Sequence, residues 1–125
     1  MTPERFEQIV DARLAHCQKV LTAKGEEYSR DGDRLHNFKK AGRKLGETPE
    51  AALLGMNVKH TVSIDDIVTD LEAGELPTTK ALDEKISDAI NYLLLLEGLI
   101  VERLDRLSTP CPAPSIPRQR TDHGI

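Results

Sequence analysis

Residues 80–107 read KALDEKISDAINYLLLLEGLIVERLDRL, and this stretch decides the fold class. Its apolar side chains recur at steps of three and four, which is the period of an amphipathic α-helix. Within it, Leu93 to Leu96 make the helix apolar on every side. A segment of that kind is normally buried on more than one side, in a bundle or against a second subunit. The sequence therefore predicts a long C-terminal helix over about 80–107 in an oligomeric helical bundle.

Three further helices are predicted upstream. The first is expected over about 3–24, where Thr2-Pro3 supplies an N-cap and a first-turn proline and Gly25 supplies the stop. A short second helix is expected over about 34–45, with Leu35, Phe38 and Leu45 facing inward.

The third helix is expected to run from Thr48-Pro49 to about Leu71. Ser63-Ile64-Asp65-Asp66 could cap the chain again and so kink or break this helix near 62. No β-branched or aromatic run alternates with period two. The predicted fold class is therefore all-α, a bundle of about four helices.

The length of 125 residues predicts one domain over 1–107. Four of the seven prolines fall within 110–117, so residues 108–125 are expected to form an extended or disordered tail. No apolar run approaches the ~20 residues of a membrane span, and the N-terminus has no secretory pattern. Cys17 and Cys111 form neither a disulfide framework nor a C-x-x-C pair. A cytoplasmic protein without membrane association is expected.

The formal net charge is −4, from 17 basic and 21 acidic side chains. Duplex-DNA binding is excluded by this balance, because such affinity comes mainly from neutralising phosphates. Only four aromatic residues are present, too few for a platform that stacks single-stranded bases. A phosphorylated ligand would therefore depend on a metal ion or on a few local basic side chains.

Polar residues that fall on or beside the apolar faces are the candidates for function. Glu26 and Glu27 lie near Tyr28 at the end of the first helix, and adjacent carboxylates could form half of a Mg²⁺ site. Either of the two glutamates could face such a site. The alternative interpretation is a solvated helix end.

Two more groups follow on the third and fourth helices. Lys59 and Ser63 are one turn apart and could meet a phosphate oxygen. The neighbouring His60 could be a ligand too, although a single His on an apolar stripe is more often a hydrogen-bonded core residue. Glu84 and Asp88 also lie one turn apart, and Asn91 and Tyr92 continue their face. Two acids at the mouth of an apolar segment are costly unless a cation lies between them.

These motifs resemble a known group of proteins. The pattern Lys24-Gly-Glu-Glu-Tyr28, Arg34-Leu-His-Asn-Phe38, Lys59-His-Thr-Val-Ser63 and Glu84-Lys-Ile-Ser-Asp88-Ala-Ile-Asn-Tyr92 resembles small phage and prophage proteins. These are related to nucleotide-modification-associated domains and, remotely, to the MazG-like all-α NTP pyrophosphohydrolases. The resemblance covers roughly residues 5–105, and it implies a bacterial host cell if the chain is phage-encoded.

The resemblance implies an oligomer that cleaves a nucleoside triphosphate between its α and β phosphates, with Mg²⁺ held by acids from two helices. Glu27, Glu84 and Asp88 would then be the catalytic and metal-binding residues. Lys59 would contact phosphate, and His36 and Asn37 would lie near the nucleotide. The other substrate-binding positions implied are Tyr28, Arg34, His60, Asn91 and Tyr92.

The motifs also depart from the MazG-like pattern of an E-x-x-E pair followed by an E-x-x-D pair. Glu26 and Glu27 are adjacent here, and Lys85 stands three positions before Asp88. Nucleotide binding survives this departure better than hydrolysis does. The leading hypothesis is a Mg²⁺-dependent nucleotide pyrophosphohydrolase. The alternatives are a non-catalytic protein that sequesters a nucleotide and a structural helical adaptor.

Overall fold

A computed structural model describes residues 1–108 as four helices. They are α1 (Pro3–Tyr28), α2 (His36–Leu45), α3 (Pro49–Glu72) and α4 (Thr79–Ser108). Within this range there is no strand, only an isolated bridge between Arg30 and Asp33, so the prediction of an all-α fold with four helices is confirmed. No helix of this part of the chain is long and apolar enough to cross a membrane. The predicted proline-rich tail falls on residues 109–125 and lies outside the described residues.

Three of the helices begin at a threonine cap. The hydroxyl oxygens of Thr2, Thr48 and Thr78 accept hydrogen bonds from backbone N–H groups three residues further on, at 3.0–3.2 Å. Each cap satisfies a donor that the first helical turn leaves unpaired. The Thr-Pro signals in the sequence therefore fix the starts of α1 and α3 correctly.

The core joins α2, α3 and α4. Phe38 of α2, Leu53 of α3 and Leu99 of α4 are buried together with Leu35, which precedes α2. α3 runs antiparallel to α4, because Glu50 at its start pairs with Arg103 near the end of α4. The three helices thus form the well-packed body of the protein.

α1 packs against α4 through a polar seam rather than through this core. The Arg13 guanidinium lies 2.6 Å from the Asp83 carboxylate and donates to the Ser87 hydroxyl at 2.8 Å. One turn further along, the Asn91 amide donates to the carbonyl oxygen of the buried Cys17. α1 therefore runs parallel to α4 and is held mainly by directional polar contacts.

Two local expectations were wrong, and the break that the sequence allowed near 62 does not occur. α1 continues through Gly25 to Tyr28 instead of ending at 24. α3 is continuous through 62, and the Ser63 hydroxyl donates to the carbonyl of Lys59 at 2.9 Å instead of capping a new helix. Leu45, expected to face inward, is 63% exposed.

The two glycines Gly42 and Gly55 give a matched test of this packing. A methyl group on Gly42 would lie 2.9 Å from the backbone oxygen of Glu47 and 3.1 Å from the nitrogen of Pro49, whereas one on Gly55 would meet open space. We expect Gly42→Ala to lower the free energy of unfolding by about 1–3 kcal/mol through overpacking. Gly55→Ala should raise it by about 0.5–1 kcal/mol through helix propensity.

Urea denaturation of both variants measures these changes. Because alanine favours helix at either position, equal stabilisation in the two variants would mean that α2 and the start of α3 do not approach as closely as described.

Candidate functional site

A cavity of about 500 Å³ opens beside α4 and receives side chains from all four helices and from the link before α2. Its volume lies in the range typical of small-molecule sites. It forms where α1 and α3 both pack on α4. The lining residues are Val20, Leu21, Lys24, Tyr28, Arg34, Asn37, Phe38, Lys59, His60, Ser63, Glu84, Lys85, Asp88, Asn91, Tyr92 and Leu95.

Most of the residues singled out from the sequence lie in this cavity, although their motifs are far apart in the chain. The exceptions are Glu27 and His36, which line a neighbouring depression, and Glu26, which is exposed and lines neither space. The predicted site residues that the structure brings together are Tyr28, Arg34, Asn37, Lys59, His60, Glu84, Asp88, Asn91 and Tyr92.

Of the three acids predicted to bind metal, two share the cavity. Glu84 and Asp88 line it from successive turns of α4. The Glu27 carboxylate is largely exposed and lies 3.6 Å from the Lys24 ammonium group instead. Over residues 1–108, no three His, Cys, Asp or Glu side chains are grouped so that they could hold a metal ion.

The cavity is rich in basic side chains although the chain as a whole is acidic. Lys24, Arg34, Lys59 and Lys85 line it, against the carboxylates of Glu84 and Asp88. The contacts of two of these lysines with acids are long, at 3.6 Å from Lys24 to Glu27 and 3.9 Å from Lys85 to Glu84. Such pairs contribute little, so most of the positive charge stays available to a ligand.

Of the two cavity cations without a carboxylate partner in the described part of the chain, Arg34 and Lys59, Arg34 is the more buried. Its guanidinium is partly buried and donates to the backbone carbonyl of Leu21 at 3.2 Å, and no carboxylate of residues 1–108 lies within ion-pair distance of it. Burial lowers the pKa of Arg34. Its side chain lies over Gly25, where an added methyl group would be 2.9 Å from Nε. Gly25 therefore makes room for Arg34 instead of ending the helix.

His60, Asp88 and Tyr92 form a contiguous group along the cavity. His60 Nδ1 lies 3.5 Å from an Asp88 carboxylate oxygen, and the His60 ring lies 4.5 Å from that of Tyr92, centroid to centroid. Burial lowers the pKa of His60, and Lys59 and Lys85 lower it further against the opposing effect of Asp88. Burial and the two lysines therefore favour the neutral imidazole over an ion pair with Asp88.

Tyr92 also carries a perturbed phenol. Burial raises its pKa, and the nearby Asp88 carboxylate adds to the rise. The ring of Phe38 meets it edge to face at 6.1 Å between centroids. Tyr92 thus stays a neutral phenol that can donate or accept a hydrogen bond beside an apolar wall.

Buried hydrogen-bonding atoms of the cavity residues lack partners within the described part of the chain. They are Asn37 Oδ1, Asn91 Oδ1 and His60 Nε2. Asn91 is only 4% exposed, and its Nδ2 is committed to the carbonyl oxygen of Cys17, so its free atom is an acceptor. An unpaired buried polar group costs about 1–3 kcal/mol, which a ligand donor would recover.

Sequence reasoning did not assign a site role to two of the lining cations. Lys24 stood in a motif but was given no role, and Lys85 was treated only as a departure from an acidic pattern. The available signal was the spacing: Lys24 and Tyr28 are one turn apart on α1, and Lys85 and Asp88 are three apart on α4.

No protein-family model, curated protein or solved structure matches this chain.

Proposed function

We propose that this protein binds a phosphorylated nucleotide in the cavity between α1, α3 and α4. Arg34 carries the proposal, because a partly buried guanidinium without a carboxylate partner is costly until an anion reaches it. Arginine is also the side chain best shaped for two-point contact with phosphate. Lys24, Lys59 and Lys85 add positive charge around the same space.

The remainder of the cavity suits a nucleoside rather than inorganic phosphate alone. Phe38, Tyr92 and Leu95 supply apolar and aromatic surface, and the unpaired acceptor of Asn91 supplies a polar contact. Small-molecule sites commonly combine such apolar walls with a few placed polar groups. The protein would then be a non-catalytic one that sequesters a nucleotide, the first of the two alternatives to a pyrophosphohydrolase.

Mg²⁺-dependent pyrophosphate release is the second proposal, and one observation favours it. Glu84 and Asp88 line the same cavity as the four cations. Mg²⁺ is often held by one or two carboxylates together with substrate phosphates, so this pair fits the ion if the nucleotide completes its shell. Held there, the ion would polarise a phosphoryl group. Kinship with the phage proteins remains a proposal that rests on the motifs.

Calorimetry with nucleoside mono-, di- and triphosphates, with Mg²⁺ and with a chelator, tests the binding proposal. We expect affinity to rise with the number of phosphates and to persist with the chelator, since the basic side chains are fixed parts of the protein. No measurable binding of any nucleotide in either condition would refute the proposal and favour the structural adaptor.

Asp88→Asn and Glu27→Gln form a matched pair for the catalytic proposal, because each removes one carboxylate charge and only Asp88 lines the cavity. Metal polarisation contributes several kcal/mol, so Asp88→Asn should lower the rate of pyrophosphate release by about 100-fold or more. Glu27→Gln should leave that rate within about threefold of wild type, as is usual for an exposed side chain away from the reacting groups. A large loss in Glu27→Gln would instead support the three-carboxylate site that the resemblance implies.

The expected self-association stays a proposal, and the exposure of α4 supports it. Leu93 is 60% exposed and Leu94 is also exposed, whereas Leu95 and Leu96 pack against the core. A second copy of this chain would cover the outer pair. Light scattering at micromolar concentration would show a multiple of 13.9 kDa if it does.

A further inference from the structure

A second depression of about 390 Å³ adjoins the cavity. Tyr28 and Asn37 line both spaces, so the two are neighbours across these side chains. The depression lies along one side of α2 and the turn that precedes it. Its other lining residues are Glu27, Ser29, Arg30, His36, Lys40, Ala41 and Lys44.

The basic residues of this depression follow the helical period. His36, Lys40 and Lys44 stand at i, i+4 and i+8 on α2, so they form one stripe about 12 Å long at 1.5 Å per residue. Arg30 joins them from the turn. We call these four residues the α2 stripe.

The stripe has no ion pairs that would explain it as part of the fold. Arg30, Lys40 and Lys44 are exposed, and no acidic group of residues 1–108 lies within ion-pair distance of them. The adjacent Lys39, in contrast, is paired with two acids: its Nζ lies 2.7 Å from a carboxylate oxygen of Asp33 and 2.7 Å from one of Glu102.

The remaining electrostatics of the depression also leave room for an anion. Glu27 is its one acidic lining residue, and the Glu27 carboxylate lies beside Lys24. Lys44 near the C-terminus of α2 is favourable for the helix dipole, but His36 and Lys40 in the N-terminal half gain nothing from it. Arg30, Lys40 and Lys44, exposed and without an acid partner among residues 1–108, are therefore open to an anionic ligand.

We propose that the α2 stripe binds phosphate groups that continue from the nucleotide held in the cavity. The ligand would then be a nucleoside that carries a chain of phosphates, with its base in the cavity and its chain passing Tyr28 and Asn37 onto α2. This inference rests on the proposed nucleotide site. Such a chain exists either as the backbone of a single-stranded oligonucleotide or as an extended phosphoanhydride.

Binding of three ligands to three proteins tests this extension. The ligands are a nucleoside triphosphate, a nucleoside tetraphosphate and a labelled six-nucleotide single strand. The proteins are wild type, Lys40→Gln/Lys44→Gln, and the control Lys19→Gln/Arg43→Gln, which removes the same charge from exposed positions outside both cavities. All of these side chains are exposed, so unchanged melting temperatures are expected.

We expect Lys40→Gln/Lys44→Gln to lower the affinity for at least one of the two longer ligands about tenfold or more. Its affinity for the triphosphate should stay within about twofold of wild type, and so should all affinities of the control variant. For a strand, the slope of log K against log[salt] should also become shallower by about 1.4, since each neutralised phosphate contributes about 0.7. Loss confined to the single strand identifies a phosphodiester chain, and loss confined to the tetraphosphate identifies a phosphoanhydride chain. Either result supports the α2 stripe.

Equal affinities of wild type and Lys40→Gln/Lys44→Gln for both longer ligands would overturn the inference. The same result with tight triphosphate binding would leave the nucleotide site intact. Failure of wild type to bind any of the three ligands would remove both proposals together.

Discussion

Arg34→Gln should reduce the affinity for a nucleoside triphosphate by about ten- to hundredfold, because a hydrogen bond to a charged group contributes about 1.5–3 kcal/mol. Glutamine keeps an amide N–H donor on a shorter side chain, but it has no positive charge. The charge that is lost is one that has no carboxylate partner in the cavity. Calorimetry with the triphosphate measures the change directly. The effect should exceed that of Lys59→Gln, since Lys59 is more exposed than Arg34 and its charge is better screened by water.

Arg43→Gln is the matched control for this change. It removes an exposed guanidinium from α2 that lines neither cavity, so its effect on affinity should be less than about twofold. Arg34→Gln should keep most of the stability, because its one backbone contact, to Leu21, is worth about 1 kcal/mol. A folded Arg34→Gln protein with wild-type affinity would remove the main support for the nucleotide site.

Leu53→Ala should lower the free energy of unfolding by about 2–5 kcal/mol, whereas Leu54→Ala should change it by less than about 0.5 kcal/mol. The two leucines are neighbours in α3, yet Leu53 is 1% exposed and Leu54 is 52% exposed. Truncating Leu53 opens a cavity in the cluster with Phe38 and Leu99. Truncating Leu54 removes surface that water already reaches.

Urea denaturation followed by circular dichroism gives both values under one protocol. The comparison holds chemistry and sequence neighbourhood fixed, so burial alone separates the two variants. Comparable losses in both would show that Leu54 is covered in solution, as it would be by a second copy of the chain.

Helix number and most helix positions could be predicted from the sequence, because the apolar period and the Thr-Pro caps are local signals. The end of α1 could not be predicted, since Gly25 lies within the helix and leaves room there for the Arg34 side chain, which comes from a later segment. The sequence left a break near 62 open, because a serine can either cap a helix or donate its hydroxyl to a carbonyl one turn back, as Ser63 does.

The candidate site was partly predictable for the same reason. The motifs indicated which polar residues depart from an amphipathic pattern, and the structure brings most of them together. Glu27 is separated from the cavity because α1 stays helical to Tyr28, and adjacent helical residues point about 100° apart. Lys24 and Tyr28, one turn apart, share the cavity side, so Glu27 turns toward the depression beside it.

Because Gly25 contacts Arg34, a methyl group at position 25 would have two opposing effects, one on the backbone of α1 and one on the Arg34 side chain. Alanine at position 25 would favour the helical backbone of α1, yet it would push the guanidinium away from where it now rests. A Gly25→Ala protein would therefore combine a more favourable α1 backbone with a displaced Arg34 side chain.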